Sequence, residues 1–367
     1  MLRAGSNDMA GLPLAAVGAP GIAGYRNLHF AGWDLHGEDL NEAVREHAVL
    51  DRAQADLVAP ALSKMKPWPA VGSVEFCKNV DGANKVAAKS HREAVNRIRE
   101  DIRRHRDETG IGHLVMINLA SVERWPDRGA AVLRTLDGFE KGLDGSDPAI
   151  SPAMLYAYAA IAEGVPYGNF TPSLAADVPA LTAMAERENV PVAGKDGKTG
   201  QTFIKTVLAP AFRSRALYVE GWFSTNILGN RDGLALDNPD SLRSKLSTKG
   251  SVLDDILGYP VEDHIVDIRY YRPRGDNPEA WDNIDLVGFL GQKMQLKVNF
   301  LCRDSILAAP LVIEIARVLD LARQRGNGGI QEQLGLFFKA PMTKPGKREE
   351  HSFPVQERVL LDWLAAA

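Results

Sequence analysis

The chain is poor in cysteine, in long apolar runs and in charge of one sign. Its 367 residues include two cysteines, Cys77 and Cys302, far apart in sequence. They form no metal-type pair, and such scarcity fits a reduced, cytoplasmic compartment. No apolar stretch approaches the length of a membrane span. The N-terminus shows no charged segment followed by an apolar one, so no secretion signal is read there. A net charge of −4 gives no electrostatic reason to expect nucleic acid or an anionic membrane as partner. No internal repeat, long low-complexity stretch or metal-ligand set is found. The length suffices for two domains or one large interrupted one.

What is present is a dense polar stretch, NILGNRDGLALDNPDSLRSKLSTKGSVLDD, over residues 226–255. Asn226, Asn230, Asp232 and Asn238 surround Gly229 and Gly233, and Lys245 and Lys249 follow four residues apart. Amides and carboxylates can hold hydroxyls, and ammonium groups can hold a phosphate or a developing oxyanion. On a helix the two lysines share a face and lower each other's pKa. The competing reading is a solvated polar loop followed by a charged helix.

The pattern elsewhere predicts alternating elements. Residues 29–35, 112–120 and 190–193 read as strands, 83–106, 152–163 and 201–212 as helices, and 173–188 holds another helix. The basic residues of 83–106 are read as a solvated face, given the overall acidity. The loop GKDGKTGQT after residue 193 offers backbone N–H groups to a phosphate. It is not a P-loop, because the glycine required five positions before Gly197 is Val192. Residues 263–271, 284–290 and 294–300 read as strands, with a hairpin turn at Gly291 and Gln292. A helix over 304–323 follows, with Asp304 and Ser305 placed to cap it. The fold class expected is α/β, interrupted by an α+β block.

Eight segments in order carry a family resemblance. They are FAGWD (30–34), INLASVER (117–124), NFTPS (169–173), DGKTGQT (196–202), NILGNRDG (226–233), RSKLSTK (243–249), CRDSILAAP (302–310) and FKAPMTKPG (338–346). In the same order these resemble FGGWD, a TANTER-type strand end, NGSPQ, DxKSGQT, NHLGNNDG, RSKEISK, CEDSLLAAP and LKAPLTRPG of the myo-inositol-1-phosphate synthases, also called inositol-3-phosphate synthases. The resemblance implies a Rossmann-like NAD-binding domain over 1–202 and a catalytic, tetramer-forming α+β domain over 203–303. Residues 304–367 would return to the first domain. It implies a cytoplasmic homotetramer converting glucose 6-phosphate to 1D-myo-inositol 3-phosphate. The steps are NAD-dependent oxidation, enolisation, aldol closure and re-reduction.

Carried over motif by motif, Lys245, Lys249, Lys339 and Asp232 become catalytic. Asn226, Asn230, Ser244 and Asp304 become substrate-binding. Asp34, Ala120, Ser121, Thr171, Asp196, Thr199, Asp232, Asp276, Asp304 and Ser305 become cofactor-side positions. The plainer readings make Asp34 and Asp304 helix caps, Lys339 a lysine extended to solvent, and Thr171 and Thr199 turn hydroxyls.

Three departures qualify the resemblance. The family's first strand and glycine-rich loop are not found. Gly18, Gly21 and Gly24 lack G-x-G-x-x-G spacing, and MLRAGSNDMAGLPL resembles the end of the helix that follows that loop. Either the true start lies upstream of Met1, or NAD is bound poorly. Pro278 stands where a catalytic lysine is expected, and Phe170 where a glycine is expected. The alternatives are a synthase of another cyclitol from a ketose phosphate, a non-catalytic sugar-phosphate binder, and a simple dehydrogenase.

Overall fold

The structure, a computed structural model, describes residues 11–78, 81–230 and 252–366. Strand β1 (Trp33–Asp34) pairs in parallel with β2 (Trp68–Pro69). Between them run helices Leu40–Glu46, closed by an Asp39/Glu42 capping box, and Arg52–Leu62, capped by Asp51. Helix His91–Thr109 follows, then β3 (Met116–Asn118), helices Leu136–Gly145 and Pro152–Ala162, and β4 (Tyr167–Asn169). Helix Pro179–Arg187, β5 (Pro191–Gly194) and helix Gln201–Ser214 come next. A second region holds β6 (Tyr218–Leu228), helix Val252–Leu257, β7 (Asp263–Tyr270), β8 (Glu279–Val287) and β9 (Lys293–Leu301). Helix Asp304–Gln324 leads back to β10 (Gly329–Ile330), and helix Phe353–Ala365 closes the described chain.

The sheets bear out the α/β expectation. Strands β10, β5, β4 and β3 lie side by side, all parallel. The second sheet has the order β7-β6-β8-β9, with β6 and β7 parallel and the remaining pairs antiparallel.

Local chemistry moved several boundaries. The helix expected over 83–106 starts at His91, because Ser90 accepts the Glu93 N–H as N-cap, and it ends at left-handed Gly110. The helix expected within 173–188 runs Pro179–Arg187, and the ring of Pro179 suits a first turn. The strands expected over 29–35 and 112–120 shorten to β1 and β3. The strand expected over 284–290 instead runs Glu279–Val287, paired along its length with β6 and β9. Its last residues form the hairpin turn, where Leu290 and Gly291 both have positive φ.

Helix Pro152–Ala162 is apolar all round and buried on nearly every side, filling the core beside β4 with Ile98, Tyr167 and Leu181. On the other face of the parallel sheet, Ile315, Val318 and Leu319 pack with Phe337 and Phe338. Trp222, Leu253 and Ile284 centre a third core beneath the mixed sheet. These cores hold the C-terminal ends of β3, β4 and β5 at one edge, where open α/β sheets bind ligands.

Candidate active site

The loop after β5 is fixed by a segment far along the chain. Lys195 and Ala340 exchange backbone hydrogen bonds, the Lys339 N–H donates to the Asp196 carbonyl, and the Lys198 N–H donates to Phe337. Asp196 takes a left-handed conformation, φ 61°. A Cβ on Gly197 would meet the Phe170 ring at 2.1 Å, so Phe170 fills the space above this glycine.

This pairing turns Lys339 inward. Its amine donates to Asp196 Oδ1 at 2.8 Å, with both side chains nearly buried. The solvent-extended reading of Lys339 is therefore wrong: the apolar residues around it carry the amine onto a carboxylate.

Asp304 and Ser305 begin their helix but do not cap it. Arg303 occupies the N-cap position, without a side-chain cap bond. Asp304 Oδ1 instead accepts from Thr199 Oγ1 at 3.2 Å, and Ser305 Oγ donates to Asp276 Oδ1 at 2.9 Å. Burial, and then the charge of Asp304, hold the Asp276 carboxyl above its ordinary value, against hydrogen bonds from Ser305 and Asn230. Thr199, Asn226, Asp304 and Lys339 line one small cavity with Gly200, Gln201 and Thr202. Its opposite wall is apolar, formed by Leu228, Pro278, Ala280 and Phe300 with Cys302. Cross-strand register sets Asn226, Ala280 and Phe300 in one row of the mixed sheet. Burial, followed by the Asp304 and Asp276 carboxylates, pushes the Cys302 thiol up to about 11, so it stays neutral at physiological pH.

Asp34, Ala120 and Ser121 line a second, larger cavity of about 920 Å³ between β1 and β3. Asp34 is not a helix cap. Asp39 caps the next helix, while Asp34 Oδ1 accepts the His36 N–H at 2.9 Å. Thr171 fits its turn reading: Oγ1 donates to Asn169 Oδ1 and accepts the Ser173 N–H. Through Asn169 it reaches Asn118, whose Oδ1 accepts the Ala120 N–H at 3.1 Å. Outside the smaller cavity's lining, Asp196 holds Lys339, the Asp276 carbonyl accepts the Asp304 N–H, and Ser305 and Asn230 bond to the Asp276 side chain. Lys245, Lys249, Asp232 and Ser244 lie outside the described residues. Among the described residues no group of three potential ligands could hold a metal ion, and no helix is long and apolar enough to cross a membrane.

Sequence reasoning missed Gln201, Ala280 and Phe300 as cavity residues. Strand alternation could have found Phe300. It also missed two buried lysines: Lys198, hidden in a loop whose composition reads as solvated, and Lys205, whose charge in a mostly apolar helical pattern was the available signal.

An NAD-binding family model described as myo-inositol-1-phosphate synthase matches residues 20–365. The chain is 42% identical to inositol-3-phosphate synthase 1 of Bacteroides thetaiotaomicron, over 91% of this chain and 80% of that one. It is 30% identical to the Saccharomyces cerevisiae inositol-3-phosphate synthase, over 91% and 69% respectively. The crystal structure of the Caenorhabditis elegans inositol-3-phosphate synthase superposes with a TM-score of 0.88 at 28% identity, covering 94% of this chain and 71% of that one. The match spans both sheets and the loops that carry the two cavities, and on it the chain belongs to the myo-inositol-1-phosphate synthase family, as an enzyme of the isomerase type.

Proposed function

We propose that the enzyme converts glucose 6-phosphate to 1D-myo-inositol 3-phosphate with NAD as cofactor. The observation that carries this reading is the buried Lys339–Asp196 pair at a cavity whose other polar groups include Thr199, Asn226 and Asp304. An ammonium held in place by a carboxylate can stabilise and protonate an oxyanion without reorganising. Asn226 can hold substrate hydroxyls. Asp304, with one oxygen taken by Thr199, keeps the other as an acceptor. In this reading Lys245 and Lys249 add further ammonium groups and Asp232 a carboxylate, as the resemblance implies.

The larger cavity fits a dinucleotide. Its volume lies within the roughly 300–1,000 Å³ of cofactor sites, and Asp34 at the end of β1 has an oxygen left for a ribose hydroxyl. Ala120 and Ser121 at the end of β3 would flank the cofactor where the chain turns toward Asn118 and Thr171. When bound, NAD would accept a hydride from sugar carbon 5 and later return it, leaving no net redox change. The chain's own residues orient the sugar, exclude water and move protons at the carbon 5 oxygen.

The sheet change supports dividing the chain into 1–202, 203–303 and 304–367, with helix Gln201–Ser214 leading from one sheet to the other. The outer face of the mixed sheet exposes Phe223, Ile265 and Trp281. A second copy covering this face would account for a homo-oligomer, and two free cysteines suit the cytoplasm.

A second reading has its own observation. Pro278 gives the cavity an apolar wall in place of an ammonium, which favours another sugar phosphate, such as a ketose phosphate. Incubation with NAD and either glucose 6-phosphate or a ketose hexose phosphate, followed by phosphorus NMR, decides between them. A cyclic product from glucose 6-phosphate supports the first reading, a product from the ketose alone the second. No cyclic product from either overturns both.

A further inference from the structure

Beneath the small cavity lies a buried polar cluster that the reaction above does not use. The inner face of the mixed sheet presents residues in rows. Asn226 stands opposite Ala280, which stands opposite Phe300, and these line the cavity. Ser224 opposite Asp282 forms the next row, and Trp222 between His264 and Ile284 the one after. Successive rows are about 6.7 Å apart, two residues along a strand. Lys205 descends onto them from helix Gln201–Ser214, one turn below Gln201 at the cavity.

Every member of this cluster is held. Lys205 is 5% exposed, and its amine lies 2.7 Å from His264 Nε2 and 5.7 Å from the centre of the Trp222 ring. Burial, and then the charge of Lys205, keep the His264 ring neutral, with a pKa near 4, so Nε2 accepts from the ammonium. Asp282 Oδ1 accepts from Trp222 Nε1 and from Ser224 Oγ, each at 2.7 Å. Asp282 Oδ2 is buried and has no hydrogen-bond partner among the described residues. Burial lowers the Lys205 amine to about 8, opposed by the charge of Asp282, so it is ionised at neutral pH. Helix Val252–Leu257, packed on the same helix, contributes apolar Val252, Leu253, Ile256 and Leu257.

A buried ammonium is a costly way to join a helix to a sheet, since well-packed apolar side chains would do so at least as stably. What it adds is direction. It fixes one helix rotation and one height above the strands. We propose that Lys205 is a positioning residue: through His264 and the Asp282–Ser224 row it holds the start of helix Gln201–Ser214, and with it Thr199–Thr202, in register with Asn226. The Gln201 side-chain amide makes the same connection one turn higher, donating to the Thr225 carbonyl at 3.1 Å. This inference rests on reading the small cavity as the active site.

The test compares Lys205→Met, His264→Leu and His264→Gln with the unaltered enzyme. Turnover of the hexose phosphate is followed by phosphorus NMR, and amide hydrogen exchange is read at Ile204, whose N–H bonds to the Gly200 carbonyl at 3.2 Å. Lys205→Met is expected to lower kcat by about ten- to a hundredfold, as a small misplacement of reacting groups does. KM should stay within threefold, and Ile204 exchange should quicken at least tenfold. His264→Leu should behave likewise, and His264→Gln, which keeps an acceptor for the amine, should restore both readouts. Normal kcat and normal Ile204 exchange in both Lys205→Met and His264→Leu would overturn the proposal. If Lys205→Met does not fold, the two His264 variants decide alone, and equal loss in both refutes positioning. If the unaltered enzyme turns over no sugar phosphate, the site reading fails, and the exchange at Ile204 still judges the anchor.

Discussion

Lys198 offers a direct test of the electrostatics behind the site. It sits between Asp196 and Thr199, is 4% exposed, and its amine donates to Gln356 Oε1 at 2.6 Å. Burial lowers its pKa from 10.5 to about 7, against a weaker pull from Glu350. At about 1.4 kcal/mol per unit, holding the folded chain's amine protonated costs on the order of 5 kcal/mol. The folded value lies below the unfolded one. Between pH 7 and 10.5 the unfolded chain therefore binds more protons, and this group's contribution to stability rises with pH across that window. Lys198→Met removes the titration. Removing the hydrogen bond to Gln356 adds an offset that does not change with pH. The stability of the unaltered enzyme minus that of the variant should thus grow by about 2 kcal/mol from pH 7 to pH 9. Urea unfolding of both proteins at pH 7, 8 and 9 gives this difference, and shared titrations cancel. A difference that stays flat across the range would refute a depressed pKa at Lys198 and the dry environment that causes it.

Three further outcomes are expected. Lys339→Met should lower kcat by about two to three orders of magnitude, while calorimetry finds NAD binding unchanged; an unaffected kcat would remove Lys339 from the chemistry. Asp34→Ala should weaken NAD binding by about tenfold, the worth of one ribose hydrogen bond, without shifting the unfolding temperature. Gly197→Ala should destabilise the enzyme by about 1–3 kcal/mol through overlap with the Phe170 ring, and the same substitution made in a Phe170→Ala background should cost much less. An equal cost in both backgrounds would place the strain elsewhere in the loop.

The sequence made some of this visible and hid the rest for identifiable reasons. Strict alternation over 294–300 revealed the strand Lys293–Leu301, and the pattern before Asp304 revealed the hairpin, but the half-burial that the alternation implied is not found, since Met294 and Leu296 are exposed. Strand ends were harder. Only backbone pairing with β6 and β9 carries β8 back to Glu279, and no local residue type announces it. At the site, motif order brought Thr199, Asn226, Asp304 and Lys339 to one cavity, while capping rules misassigned Asp304 and Ser305. A cap rule sees neighbours in sequence, and these side chains found better partners in Thr199 and Asp276, distant in sequence. Asp34 failed as a cap for a local reason, since Asp39 already had the capping box. The burial of Lys339 was illegible because Asp196, its partner, lies 143 positions earlier.

That separation has a consequence for biosynthesis. During translation the loop of residues 194–200 leaves the ribosome long before residues 337–340 exist. Until then the hydrogen-bonding groups it will share with Phe337, Lys339 and Ala340 have no mates. Closing so long an intervening segment is slow compared with forming local structure. A nascent chain can hence assemble much of its parallel sheet while still inert, and the amine reaches its carboxylate only once synthesis is nearly finished.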